Sequence, residues 1–208
     1  MRTTPTAAGA VLCVAMLLGA CGTSERDAAE PTPAAATASA SPTPAEPTAE
    51  PEPVVAPLGS PDNPATPGVD TVPLGAQGAP VYQVALSPAD FAAGDVVTGY
   101  FDGNEPAPAG SSYVLLPVSA TYVGTGAEPA HAWLDLGITF VAADGRTFEP
   151  SMALVPGDLS VTPELATGES AQGSVPFVVP DDALTGGTWR VENQYVGSGG
   201  ETVHFTAV

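Results

Sequence analysis

Lysine is absent from this chain of 208 residues, and basic character is confined to Arg2, Arg26, Arg146 and Arg190. Phosphate backbones are bound by basic side chains that displace counterions, and anionic lipid surfaces attract clusters of the same residues. Four scattered arginines against 23 acidic residues, a formal net charge of −19, exclude nucleic acid as a partner and exclude electrostatic adhesion to a membrane. The acid excess instead favours solubility and repulsion from other anionic polymers. Cysteine is almost as scarce, and Cys13 and Cys21 both fall near the start. Everything beyond residue 21 therefore lacks a disulfide, a thiol nucleophile and a thiolate metal site. Aromatics are missing from the first 81 residues, since both tryptophans, all five tyrosines and all six phenylalanines lie from Tyr82 onward.

One long apolar run exists, from about Ala7 to Ala20. It is shorter than the roughly 20 residues a membrane-spanning helix needs and suits the apolar core of a signal peptide over residues 1–20. Leu18-Gly19-Ala20-Cys21 resembles the lipobox of bacterial lipoproteins, whose peptidase requires small residues before the cut. That resemblance implies that Cys21 becomes the acylated first residue of the mature chain, held on the extracytoplasmic face of the cell membrane. More than one acyl chain is what stable anchoring requires. Residues 21–76 are rich in Pro, Ala and Thr, as in Pro42-Thr43-Pro44-Ala45-Glu46-Pro47. With so few large apolar residues the segment is expected to be a disordered stalk, reaching between roughly 40 Å as a coil and about 160 Å as polyproline.

Residues 77–208 form the expected folded domain, and their apolar period is two. Val114, Leu116, Val118, Ala120 and Tyr122 alternate with polar or small neighbours, as do Leu134, Leu136, Ile138 and Phe140. The pattern recurs at Val175, Phe177 and Val179, at Trp189, Val191, Asn193 and Tyr195, and at Val203 and Phe205; Tyr82, Val84 and Leu86 predict one earlier strand and Val96-Val97 another. Asp144-Gly145, Pro156-Gly157-Asp158, Gly186-Gly187 and Ser198-Gly199-Gly200 read as turns between them. Helix is limited to single turns at Pro88–Phe91 or Pro180–Leu184. About seven short strands predict an all-β fold, an immunoglobulin-like antiparallel β-sandwich, with a small closed barrel as the alternative.

Three stretches carry a wider likeness. Tyr113–Tyr122, then Phe140–Phe148 with its Asp144-Gly145 turn, then Gly168-Glu169-Ser170 followed by the alternating strand to Pro180 resemble the telokin-like, immunoprotective-antigen-like extracellular module of Gram-positive lipoproteins. The family often has Asn where this chain has Gly124. The resemblance implies an immunoglobulin-like sandwich behind a lipid anchor and brings no catalytic residues. The Ala, Gly, Pro and Val content without lysine resembles actinobacterial proteins.

Candidate chemistry is sparse. Nucleophilic catalysis needs a base beside an activated hydroxyl, and only His131 and His204 offer one; His204, between Val203 and Phe205, is expected to face solvent. No Gly-x-Ser-x-Gly elbow sits between a strand and a helix. The acidic turns Asp102-Gly103-Asn104-Glu105 and Asp181-Asp182 lack the ligand spacing of a calcium loop. No cofactor is expected. His131, Trp133 and Asp135 alternate with Leu134 and Leu136, so a strand would set them in one outward row, a candidate recognition patch. The leading expectation is a lipid-anchored, non-enzymatic binding module whose partner is an envelope protein, a wall polymer or a host component. A cation- or small-ligand-binding envelope domain and an envelope hydrolase are the alternatives.

Overall fold

A strand with apolar side chains on one face needs a second layer to cover them, and here two four-stranded sheets cover each other. The computed structural model describes residues 55–76, 79–126, 129–195 and 198–207. The proposed signal peptide, Cys21 and the stalk up to residue 54 lie outside the described residues. The strands are β1 (Thr71–Ala76), β2 (Ala79–Leu86), β3 (Ser111–Tyr122), β4 (Leu136–Val141), β5 (Thr147–Phe148), β6 (Ser170–Pro180), β7 (Thr188–Asn193) and β8 (Thr202–Thr206). One sheet runs β1-β2-β3-β6 and the other β5-β4-β7-β8, with every neighbouring pair antiparallel. Taking β2 to β8 in order as A, B, C, C′, E, F and G reproduces the immunoglobulin-like arrangement A-B-E against C′-C-F-G, with β1 added outside A.

The core is built from the alternating positions. Val114, Leu116, Val118, Ala120 and Tyr122 of β3 and Val175, Phe177 and Val179 of β6 meet Ile138 and Phe140 of β4, Trp189 and Val191 of β7, and Val203 and Phe205 of β8. No disulfide is available to link the layers. Instead the Trp189 ring lies 4.9 Å from that of Phe140 and 5.0 Å from that of Phe177, a range in which aromatic pairs attract beyond their buried area.

Three expectations are corrected. Folded structure begins before residue 77. Thr71–Ala76, read as stalk, is β1, with Val72 and Leu74 buried, and Ala65 is buried beside β8. The segment hides its role because only two large apolar residues face inward, and Pro73 is tolerated on an edge strand. Gly59, at φ +84°, lets this segment lie against the core, since a Cβ there would stand 2.7 Å from Cγ1 of Val72. Val96-Val97 is not a strand but part of helix α1 (Gly94–Tyr100), with Val97 buried and Val96 exposed. Asp95 in its first turn favours the helix dipole. The alternation from Trp133 to Phe140 also breaks, because Ala132–Asp135 is a single helical turn, α2, and β4 starts only at Leu136.

A second small core covers the outer face of β3. Ala93 and Val97 from α1, Tyr113 from β3 and Val155 are buried together there.

Candidate binding surface

The turn of α2 settles what its side chains can do. His131, at the N-cap, has its N–H bonded to Asp135 Oδ2 at 2.8 Å, and its carbonyl accepts from the N–H groups of Leu134 and Asp135 at 2.9 Å each. The same Asp135 oxygen accepts from the Tyr82 hydroxyl of β2. Burial pushes the Tyr82 hydroxyl well above the ordinary tyrosine range, and the bond to Asp135 adds to the effect. Asp135 thus turns inward as a structural acceptor, and His131 Nδ1 is buried with no partner among the described residues. The single outward row of His131, Trp133 and Asp135 does not exist; helical geometry sends Leu134 outward instead, at 67 % exposure.

Trp133 takes a different position. Its ring packs partly on the core and also lines a cleft of about 130 Å³ with Ser151, Met152, Ala153, Leu154, Asp158, Ser160 and Pro176. The cleft lies along the outer edge of β6, where Ser151 N–H bonds Pro176 O at 2.8 Å and Ser174 N–H bonds Gly157 O at 2.7 Å. Between those two attachments residues 152–156 arch outward. Met152 stands 94 % exposed and Leu154 is exposed as well, while Val155 points inward.

Two contacts extend this surface. On one side α2 packs beside the 3₁₀ turn Leu159–Val161, whose Val161 is exposed. On the other, the Asn104 side chain clamps the arch to α1: its Nδ2 donates to Leu154 O and to Val97 O at 2.7 Å each, and its Oδ1 accepts from Leu154 N–H at 3.0 Å. Val96 and Tyr100 on α1 and Phe101 just after it are exposed as well. The result is a band of uncovered apolar side chains held on pinned backbone. In the sequence Trp133 stands out as a surface candidate, whereas Tyr82 reads only as a strand residue, Asn104 only as part of an acidic turn, and Met152 and Leu154 carry no assignment. The available signal was an apolar stretch, Met152-Ala153-Leu154-Val155, bracketed by Pro150 and Pro156 in a region without strand alternation.

The remaining candidates are dispersed. His204 is half-buried on β8 opposite Arg190, and burial first, then the arginine charge, lowers its pKa below the ordinary histidine value. Asp181 Oδ1 accepts from the Ser112 hydroxyl at 2.7 Å, and Asp182 pairs with Arg146 at 3.2 Å. Among the described residues no three His, Cys, Asp or Glu side chains converge as a metal would require. Two larger hollows, of about 370 Å³ (Thr66, Pro67, Pro88, Ala89, Phe91, Thr206, Ala207) and 300 Å³ (Ser87, Pro117, Val118, Ser119, Gly157, Gln172, Gly173, Ser174), are lined by no ionisable side chain.

The fold and surface thus define an antiparallel, immunoglobulin-like β-sandwich with an apolar band beside β6. No protein-family model matches the chain, and no curated protein does either. Two solved structures are similar to it. One is a conserved hypothetical protein from Bacillus anthracis, with 13 % identity and a TM-score of 0.37 over 60 % of this chain and 89 % of the other. The second is an uncharacterized β-sandwich protein from Clostridium difficile 630, with 11 % identity and a TM-score of 0.42 over 69 % of this chain and 95 % of the other.

Proposed function

We propose that this chain is a lipoprotein of the bacterial, actinobacterial-type cell envelope whose sandwich is a non-enzymatic binding module of the telokin-like, immunoprotective-antigen-like kind. In this reading residues 1–20 are a signal peptide, Cys21 carries the lipid, and the Pro-rich segment after it spaces the domain from the bilayer. The partner is another envelope protein, engaged through the band from Leu134 and Trp133 to Tyr100.

The observation that carries the binding role is the exposure of Met152, Leu134, Leu154 and Val161 around a cleft of about 130 Å³. Clustered exposed apolar side chains on a soluble surface mark interaction sites. The cleft is below the roughly 300–1,000 Å³ of small-molecule sites, so it suits one anchoring side chain of a larger partner.

Two measurements test the proposal. Mass spectrometry of the membrane fraction is expected to find the Cys21 peptide diacylated or triacylated, and an unmodified peptide overturns the anchor. Cross-linking and capture from the native envelope is expected to retain a protein that the Met152→Ser variant loses. Equal capture by both forms overturns the binding role of the band.

A further inference from the structure

Resting on the binding role proposed above, we infer that the partner docks a protein segment in which apolar side chains are interspersed with lysine or arginine. The apolar half of that description follows from the band itself. The charged half follows from what surrounds it. At the α1 end Asp95, Asp102 and Glu105 are exposed, and none of their carboxylates takes part in a hydrogen bond or an ion pair. Asp158 lines the cleft, with Oδ1 engaged by Ser160 N–H at 2.8 Å and Oδ2 free. Glu164, exposed and unpaired, follows Val161 at the other end.

No cation of the described residues answers these acids. Arg146 is held by Asp144 at 2.6 Å and Asp182 at 3.2 Å. Arg190 lies on β7, directed to Thr139 Oγ1 at 3.4 Å and facing His204 across the strands. Apolar side chains with unpaired carboxylates beside them repel an acidic partner and accelerate encounter with a cationic one. The same carboxylates disfavour anionic lipid, which attracts basic surfaces. A protein segment carrying both apolar and basic side chains satisfies both features at once, with one of its apolar side chains entering the cleft against Trp133.

Tryptophan emission of the full-length chain reads this out, because Trp189 is fully buried and Trp133 lines the cleft. The probes are a short helical peptide of leucine and lysine, its leucine–glutamate counterpart, a serine–lysine peptide and phosphatidylcholine vesicles. The leucine–lysine peptide is expected to shift the emission and to bind about tenfold more weakly as salt rises from about 0.05 to about 0.5 M. Met152→Ser is expected to abolish its binding, and Asp102→Asn with Glu105→Gln to weaken it severalfold, with melting temperatures unchanged. Equal binding of the leucine–glutamate peptide overturns the charge requirement. Serine–lysine binding as tight as leucine–lysine, and indifferent to Met152→Ser, overturns the band as its site. An emission shift with vesicles alone replaces the protein partner by a membrane. Silence with every probe, while Met152 still governs capture from the envelope, overturns this inference and leaves the binding role standing.

Discussion

The Asp135 carboxylate accepts from the Tyr82 hydroxyl on β2 and from the His131 N–H at the start of α2, so one side chain orients the turn that carries Trp133. Tyr82→Phe removes one of those donors and leaves a half-buried carboxylate short of a partner. Urea unfolding at neutral pH is expected to show a loss of about 1–3 kcal/mol. The Tyr82 pKa is raised in the folded state, so its contribution is complete below the unfolded value near 10 and fades as pH rises above it. Tyr82→Phe is therefore expected to flatten the alkaline fall in stability, and an unchanged slope refutes the assignment. His204 works in the opposite sense. Its pKa is lowered by burial and by Arg190, so the unfolded chain takes up the proton more readily. Stability is expected to fall as pH drops below about 6.5. His204→Gln should remove that component, measured by urea unfolding between about pH 7.5 and about pH 5.5, above the range where most carboxylates titrate.

At the scale of elements, β6 serves the core with one face and the apolar cleft beside Trp133 with its outer edge. Gly173 on β6 makes room for the chain that bounds the cleft: a Cβ there would stand 2.6 Å from Leu159 Cα, 2.8 Å from Leu159 N and 2.9 Å from Gly157 O. All three are backbone atoms that cannot rotate away. Gly173→Ala is expected to lose about 1–3 kcal/mol by overpacking and to change Trp133 emission, because Asp158 and Ser160 flank the displaced turn. Wild-type stability and emission would refute the packing role. The elements legible in the sequence were those whose burial alone sets their pattern. β3, β6, β7 and β8 turn one face fully into the main core and leave the other mostly half-buried or exposed, and a period of two follows. β1 and β5 carry too few inward residues to display a period. Val96-Val97 and Trp133-Leu134 are ambiguous in sequence because adjacent apolar residues fit a helical turn as well as a strand, and both lie in helical turns. Trp133 was legible as a candidate for its chemistry, whereas Met152 and Leu154 gain significance only from the arch between two attachments to β6. Nothing local in Asn104 predicts that its side chain will join α1 to that arch.

For the whole molecule, the entry of the chain into the sandwich decides where the folded unit begins. Residues 59–65 lie along β8, with Ala65 N–H bonded to His204 O at 2.8 Å, His204 N–H to Gly59 O at 2.7 Å and Thr206 N–H to Ala65 O at 2.8 Å. They cover an edge that would otherwise be open to pairing with another chain. β1 adds the buried Val72 and Leu74, each worth roughly 1.5–3 kcal/mol of burial, and the three hydrogen bonds contribute about 0.5–1.5 kcal/mol apiece. Their sum rivals the roughly 5–15 kcal/mol by which a domain is stable at all. A fragment beginning at residue 55, where the described residues start, is therefore expected to melt within a few degrees of the full-length chain. One beginning at residue 77 is expected to be unfolded or aggregated by circular dichroism and light scattering, with the edges of β2 and β8 laid bare. A cooperative transition at the full-length temperature in the shorter fragment would return the boundary to residue 77.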